Sequence, residues 1–220
     1  MSFMPKEKSK PQQAMDKAQE RLRPLLRELG FRARARAFNR FSSGGLTQVI
    51  DIQMGRFDPP GTYEIGIRKN MYGKFTVNVG IYVPEVFECL QGCGGKPSFI
   101  REYDCCIGGR LGNLGPEHED KWWDLLNPIE AASDVFSRLR RDALPFFSEF
   151  ETREALLEHV MKARLPHNWR GICAVILARQ GRKSEAKVLL DEYAEERKDH
   201  PSLRSILALA STLGLGSANN

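Results

Sequence analysis

Two adjacent cysteines, Cys105 and Cys106, lie in the stretch of this chain that is richest in reactive side chains, residues 101–127 (REYDCCIGGRLGNLGPEHEDKWWDLLN). With His118 and Asp120 they could supply a thiol nucleophile, a base and a group that orients the base. His118, however, is surrounded by carboxylates, which favour its charged form instead of preparing a base for a thiol. A thiol-dependent enzyme is therefore a hypothesis of low rank.

Four cysteines could also form a zinc site, namely Cys89 and Cys93 followed by Cys105 and Cys106. Structural zinc sites usually use two pairs of the C-x2-C to C-x4-C type. Adjacent residues on a strand point to opposite faces, so the second pair cannot easily supply two ligands. His118 could replace one thiol. We expect no metal and no cofactor, because free cysteine is more often a small buried side chain.

Glycines at positions 108, 109, 112 and 115 surround Arg110 and raise the possibility of a phosphate-binding loop. Their spacing fits neither the G-x-G-x-x-G pattern nor the Walker pattern. Glycines after a strand more often allow positive φ in a tight turn. We interpret the stretch as a structural corner.

Trp122 and Trp123 lie in DKWWDLLN, a pattern that favours a short helix capped by Asp120. On a helix the two rings would lie about 100° apart, so one enters the core while the other covers its edge. Exposed tryptophans can instead anchor a protein partner. Trp122, Trp123 and Arg110 are therefore also candidate partner-binding residues.

The composition is typical of a soluble globular protein, with 41% apolar and 28% charged residues in a chain of 220. No apolar stretch is long enough to span a membrane. The N-terminal sequence lacks a secretory pattern and the cysteines are odd in number, so we expect a cytoplasmic protein with free thiols. Between Lys6 and Arg40, eleven Lys/Arg and four Asp/Glu give a local charge of +7. This part of the chain invites an acidic partner.

A change of hydrophobic period divides the chain into elements. Residues 12–29 follow the helical period, with Pro24 as a kink or the start of a second helix and Gly30 as the stop. Period-two alternation then predicts five strands joined by short turns. These strands are 31–41, 46–57, 62–70, 74–84 and 98–109.

From Pro128 onward the period is helical again, and we expect about four helices. Pro145 should end the first of them, and Thr152 and Ser184 are candidate N-caps. LARQGRKSEAKVLLDEY is similar to half of a tetratricopeptide repeat, but no second copy follows, which favours a simple αα-hairpin. The prediction is an α+β protein. An N-terminal helix packs on a five-stranded antiparallel sheet (residues 1–127), and a docked C-terminal helical bundle follows (128–220).

Three arginines, Arg32, Arg34 and Arg36, alternate with alanines on the first predicted strand and should share its open face. They could pair with cross-strand acids such as Asp51 or Glu64. They could instead form a positive stripe for an acidic partner. Because stacking aromatic residues are missing between them, a protein partner is favoured over nucleic acid.

Four phrases in this order resemble the bacterial domain-of-unknown-function 4304 family: LLRELGFRARARAFNRF, GLTQVIDIQ, FTVNVGIYVP and GGRLGNLGPEHEDKWWDL. The resemblance covers roughly residues 12–150. It implies a small cytosolic α+β protein that looks similar to immunity proteins encoded beside secreted bacterial toxins, and it supplies no catalytic residues. It also implies a fold corner in which Arg110 holds a carboxylate or loop carbonyls.

The leading hypothesis is accordingly a non-enzymatic protein-binding module, an immunity protein that neutralises a bacterial toxin with an acidic surface by direct binding. The alternative is a nucleic-acid-associated protein that uses the basic N-terminal helix and strand, and it predicts a steep salt dependence of binding. The third hypothesis is the thiol-dependent enzyme in the 105–120 loop. No membrane partner is expected.

Overall fold

The computed structural model describes residues 7–55, 71–90 and 95–216. The described chain divides into two compact units that do not follow the order of the sequence. Unit 1 takes its described residues from Met1–Arg40, Val49–Val79 and Gly108–Phe146. Unit 2 takes them from Phe41–Gln48, Gly80–Ile107 and Phe147–Asn220. Helices from beyond residue 128 thus occur in both units.

The predicted N-terminal helix is present as α1, Lys10–Glu28, and its apolar stripe is buried in unit 1. Pro24 lies inside this helix without dividing it. The helix ends in a Schellman motif. Gly30 has φ +86° and donates its N–H to Arg27 O at 2.9 Å, while Phe31 donates to Leu26 O at 3.0 Å. Gly30 therefore has the stop role that the sequence predicted.

The single strand predicted over 31–41 is wrong, because the chain turns back at Ala35 and Arg36. Two strands result, β1 (Arg32–Arg34) and β2 (Ala37–Phe41), which pair antiparallel with Arg34 opposite Ala37. Ala35 adopts φ +51°, which a non-glycine residue rarely does. Ala33 and Ala35 are exposed, so the alternation of buried alanine and exposed arginine does not hold here.

Within the described residues, six strands form one antiparallel sheet in the order β1-β2-β3-β4-β5, with β6 added to β4. The order confirms the predicted meander. The remaining strands are β3 (Thr47–Met54), β4 (Lys74–Tyr82), β5 (Ile107–Arg110) and β6 (Trp123–Asp124). The strand predicted over 62–70, including Glu64, lies outside the described residues.

The two central strands are buried on both faces. Residues 47–52 of β3 and 75–82 of β4 are all buried, not only every second one. The apolar residues that the sequence predicted to be buried are buried, and the polar residues between them are buried as well. Asn78, for example, donates to Gln53 at 3.0 Å, which offsets the cost of burying its amide.

Two local predictions in unit 2 are corrected. The segment after β4 forms a short helix, α2 (Pro84–Leu90), which the sequence reading missed although proline is favoured at a first helical position. The strand predicted over 98–109 is a 3₁₀ turn at Glu102–Asp104 followed by the short β5.

Pro145 does not end the helix in which it lies. Helix α4 (Pro128–Arg138) continues through a wider π-type turn, Leu139–Ala143, into α5 (Leu144–Ser148). Leu144 donates to Leu139 O, five residues back. Pro145 lies in the first turn after this wider segment, and the chain remains helical there as far as Ser148. A further short helix, α3 (Leu111–Leu114), precedes β6 in unit 1.

The C-terminal helices of unit 2 follow the predicted periods. Thr152 caps α6 by accepting a hydrogen bond from the Ala155 N–H at 3.2 Å, as expected. Ser184 is not a cap, because α8 begins one residue before it. The pair α7–α8 is an αα-hairpin with Gly181 at φ +81° between its helices. The bounds are α6 Arg153–Ala163, α7 Trp169–Arg179, α8 Lys183–Glu196 and α9 Leu203–Thr212.

Candidate functional site

The exposed arginines of unit 1 lie at an end of the sheet. Strand β1 is the first in the strand order, and Arg32 and Arg34 on it are exposed. Arg36 is half-buried in the turn that follows. We call these three residues the basic edge. The structure therefore places all three predicted arginines within one hairpin, but on an edge and a turn, not on the open face of a long strand.

A cavity of about 320 Å³ adjoins the basic edge in unit 1. Arg36 and Ala35 contribute to its lining, helix α1 contributes Arg23, and Lys8 lies just before this helix. Arg23 donates to Ala35 O at 2.9 Å and to the Gln19 side chain at 3.1 Å. These two bonds fix a guanidinium at the turn that carries Arg36. The remaining lining residues are Gln12, Met15, Asp16, Gln19 and Met54.

Arg23 is a residue that sequence reasoning missed. In the sequence it is only one of the eleven Lys/Arg residues of the basic N-terminal region. Its contact with Ala35 depends on the turn at residues 35–36, and no glycine, proline or asparagine marks that turn in the sequence. Two acids were suggested as partners for the arginines. Asp51 is buried within β3, and Glu64 lies outside the described residues.

Arg110 holds the corner that follows β5. It forms an ion pair with Asp120, and its guanidinium carbon lies 5.0 Å from the centre of the Trp122 ring. The predicted carboxylate partner is thus confirmed. Gly112 allows two chain segments to cross, since a Cβ there would lie 2.3 Å from Glu119 O. This close approach excludes any larger residue without a backbone shift, and it explains the glycine without a phosphate ligand.

The two tryptophans divide between the core and its edge, but the predicted helix is wrong. Trp123 belongs to β6, pairs with Phe75 of β4 and stacks on its ring at 5.7 Å. It is 5% exposed and donates its ring N–H to Asp134 at 2.7 Å. Trp122 is half-buried beneath Arg110. The pairing with Phe75 requires an extended backbone, which overrides the local helical preference.

The family model described as Domain of unknown function (DUF4304) matches residues 22–149, more than half of the chain. The chain belongs to the DUF4304 family. The match confirms the resemblance and includes the basic edge, Arg110 and both tryptophans. No curated protein and no solved structure matches the chain.

Three cysteines of this DUF4304 member, Cys105, Cys106 and Cys173, are packed side chains. The Cys105 thiol lies 3.6 Å from Arg101 O, and the Cys106 thiol lies 3.6 Å from Ile81 O. Burial raises the pKa of Cys106 to about 12, and that of Cys173 likewise to about 12. A raised pKa disfavours the thiolate that a nucleophile or a zinc ligand requires.

The other members of the predicted thiol site have local partners of their own. His118 adopts φ +46°, and its Nδ1 lies 3.0 Å from Asn113 O. Asp120 is engaged by Arg110. Across the part of the chain that the structure describes, no group of three His, Cys, Asp or Glu side chains could hold a metal ion. Cys93 lies outside that part.

No helix of the described chain has both the length and the apolar character needed to cross a membrane.

Proposed function

We propose that this DUF4304 member is a non-enzymatic binding module that contacts an acidic surface of a protein partner through its basic edge. The observation that carries the proposal is the exposure of Arg32 and Arg34 on a terminal strand, beside a cavity to which Arg23 and Arg36 contribute. A guanidinium presents several N–H donors in a rigid fork that matches a carboxylate.

The charge distribution supports a partner with the opposite sign. The local charge of +7 between Lys6 and Arg40 contrasts with about −2 for the rest of the chain. Such an asymmetry raises the rate at which an acidic partner is encountered. The cavity of about 320 Å³ is lined by Arg23 and Arg36 together with Met15 and Met54, and its volume exceeds that of an acidic side chain. Lys8 and Asp16, which also line it, pair with each other at 2.6 Å.

A protein partner fits the basic edge better than nucleic acid does. The residues between the arginines are Ala33 and Ala35, both exposed. Single-stranded nucleic acid is usually held by aromatic side chains on which its bases stack, and these alanines offer no such surface. The basic charge alone would still attract phosphates, so nucleic acid is a distinct outcome of the experiment below.

The finer proposal is an immunity protein that acts in the cytoplasm and neutralises a bacterial toxin by masking its surface. Masking needs complementary shape and charge but no reactive group. The raised pKa of Cys106 is consistent with this, because it disfavours the thiolate that thiol chemistry at Cys106 would need.

The test is affinity capture from lysate of the source organism, carried out with and without nuclease treatment. The bait is the full chain, or an edge-reversed variant in which all three arginines of the basic edge are changed to glutamate. A control variant carries the same charge change at exposed positions elsewhere, Lys162→Glu, Lys183→Glu and Arg204→Glu.

One protein recovered in stoichiometric amount by the full chain and the control, but not by the edge-reversed variant, is the expected result. If that protein is toxic when expressed alone and harmless when co-expressed with this chain, the immunity proposal gains direct support. Recovery that disappears after nuclease treatment would replace a protein partner with nucleic acid. Equal recovery by all three baits would show that the basic edge is not the contact surface.

A further inference from the structure

A second surface of unit 1 has the opposite chemical character to the basic edge. It is an open groove of about 500 Å³ between β6 and the first turns of α4. One wall carries the two adjacent tryptophans, and the other is helical. The full lining is Lys121, Trp122, Trp123, Asp124, Leu126, Asn127, Glu130, Ala131 and Asp134. We call it the acidic groove.

Carboxylates dominate the charge of the acidic groove. Asp124, Glu130 and Asp134 line it, against the single cation Lys121. The surrounding sequence from 117 to 134 contains six Asp/Glu and one Lys. Four of these acids form ion pairs with Arg110, Arg138 or Arg141, namely Glu117, Glu119, Asp120 and Asp134. The negative charge of the groove therefore rests mainly on Asp124 and Glu130. Lys121 lies 3.5 Å from Glu119, so its own charge is already partly offset. The groove therefore favours a positively charged occupant.

Two largely exposed apolar side chains accompany the charged lining: Leu126 is part of the lining, and Ile129 is the neighbour of Glu130 in the first turn of α4. Leu126 is 85% exposed and Ile129 is 53% exposed. The loop that displays Leu126 is held in place, because the Leu126 N–H donates to the Asp124 side chain at 2.8 Å. A pre-ordered apolar anchor lowers the entropic cost of binding a partner.

The same part of the molecule already shows how it accommodates a guanidinium. Arg110 lies over the Trp122 ring at 5.0 Å and pairs with Asp120, a combination of aromatic face and carboxylate. The acidic groove offers a comparable combination, with Trp122 beside Asp124 and Glu130.

We infer that the acidic groove is a second docking surface, which takes a protein segment bearing a lysine or arginine next to a large apolar residue. The cationic side chain lies between Asp124 and Glu130, and the apolar side chain packs on Leu126 and Ile129. This inference does not rest on the proposed function, since it involves other residues and a partner segment of the opposite charge.

The probe for the test is a random peptide library displayed on phage and selected against the full chain. Enriched peptides are synthesised and their Kd values are measured. The inference predicts enrichment of sequences in which Lys or Arg lies within a few residues of Leu, Ile, Phe or Trp. A selection that enriches no such sequences would overturn the inference, whereas acidic peptides are what the basic edge would select and they do not bear on the groove.

Two exposed substitutions locate the binding. Leu126→Ser and Glu130→Lys should each raise Kd by about tenfold or more, since an anchor and a charge partner are lost without touching the core. The matched controls are Leu207→Ser and Glu192→Lys, an exposed leucine and an exposed glutamate on helices of unit 2. The inference would be refuted if the variants and the controls weakened peptide binding equally, or if none of them weakened it.

Self-association is measured on the same proteins by sedimentation. The inference predicts that the full chain stays monomeric at the peptide-binding concentrations and that the edge-reversed variant binds the peptides unchanged. A dimer that is abolished both by Glu130→Lys and by the edge-reversed variant would assign the groove to a second copy of the chain and overturn the inference.

Discussion

Replacing Gly80 with alanine should show directly what Cys105 does in this fold. A Cβ at position 80 of β4 would lie 2.7 Å from the Cys105 Cβ and 2.8 Å from its sulfur. It would also lie 3.1 Å from Ile107 O. Ordinary contacts between such atoms are about 3.5–4.0 Å, so the overlap approaches 1 Å at two atoms. Overpacking of this kind costs about 1–3 kcal/mol of the free energy of unfolding.

The experiment is a double-mutant cycle with Cys105→Gly, measured by urea unfolding followed by circular dichroism. Cys105→Gly alone should cost about 1 kcal/mol through lost packing and added backbone freedom. The double variant with Gly80→Ala lacks both short contacts. Its free energy of unfolding should therefore exceed, by about 1 kcal/mol or more, the value expected from adding the effects of the two single changes.

The control for this cycle is Gly109→Ala in β5, where a Cβ meets no atom within 4 Å. It should leave the unfolding midpoint unchanged or raise it. Additive effects of Gly80→Ala and Cys105→Gly would show that the two residues do not pack together, and the explanation of the vicinal cysteines as packed side chains would fail.

Two further predictions concern the remaining sequence motifs. At about pH 7 the native Cys106 and Cys173 should react with iodoacetamide roughly a thousandfold more slowly than an ordinary thiol, as measured by mass spectrometry of the peptides, because their raised pKa lowers the thiolate fraction. Rapid labelling of Cys106 would restore the enzyme hypothesis. Trp123→Phe should cost about 2 kcal/mol by removing the hydrogen bond to Asp134. Trp122→Phe should cost less than about 1 kcal/mol, since its buried ring N–H has no partner among the described residues. Equal costs in urea unfolding would contradict the assigned hydrogen bond.

Much of the fold could be predicted because local and tertiary preferences agree. The apolar stripe of α1, the stop at Gly30 and the alternating residues of β3 and β4 each have one clear local signal. The predictions failed where a distant partner decides the backbone. Trp123 is extended because it pairs with Phe75, although the surrounding residues favour a helix.

The candidate site was predictable in its residues but not in its geometry. The arginines of the basic edge are visible in the sequence, whereas the turn at Ala35 is not, because alanine carries no preference for positive φ. The acidic groove has no sequence pattern of its own. Its carboxylates come from β6 and α4, and the hydrogen bond from Trp123 to Asp134 joins these elements.

The central claim is that the basic edge binds an acidic protein surface, and calorimetric titration with the captured partner tests it most directly. Reversing three charges at a complementary interface should weaken binding on the order of 100-fold, because attraction becomes repulsion at each position. The control variant with Lys162, Lys183 and Arg204 changed should bind within about twofold of the unmodified chain, a difference of about 0.4 kcal/mol. An edge-reversed variant that binds as tightly as the control would contradict the claim.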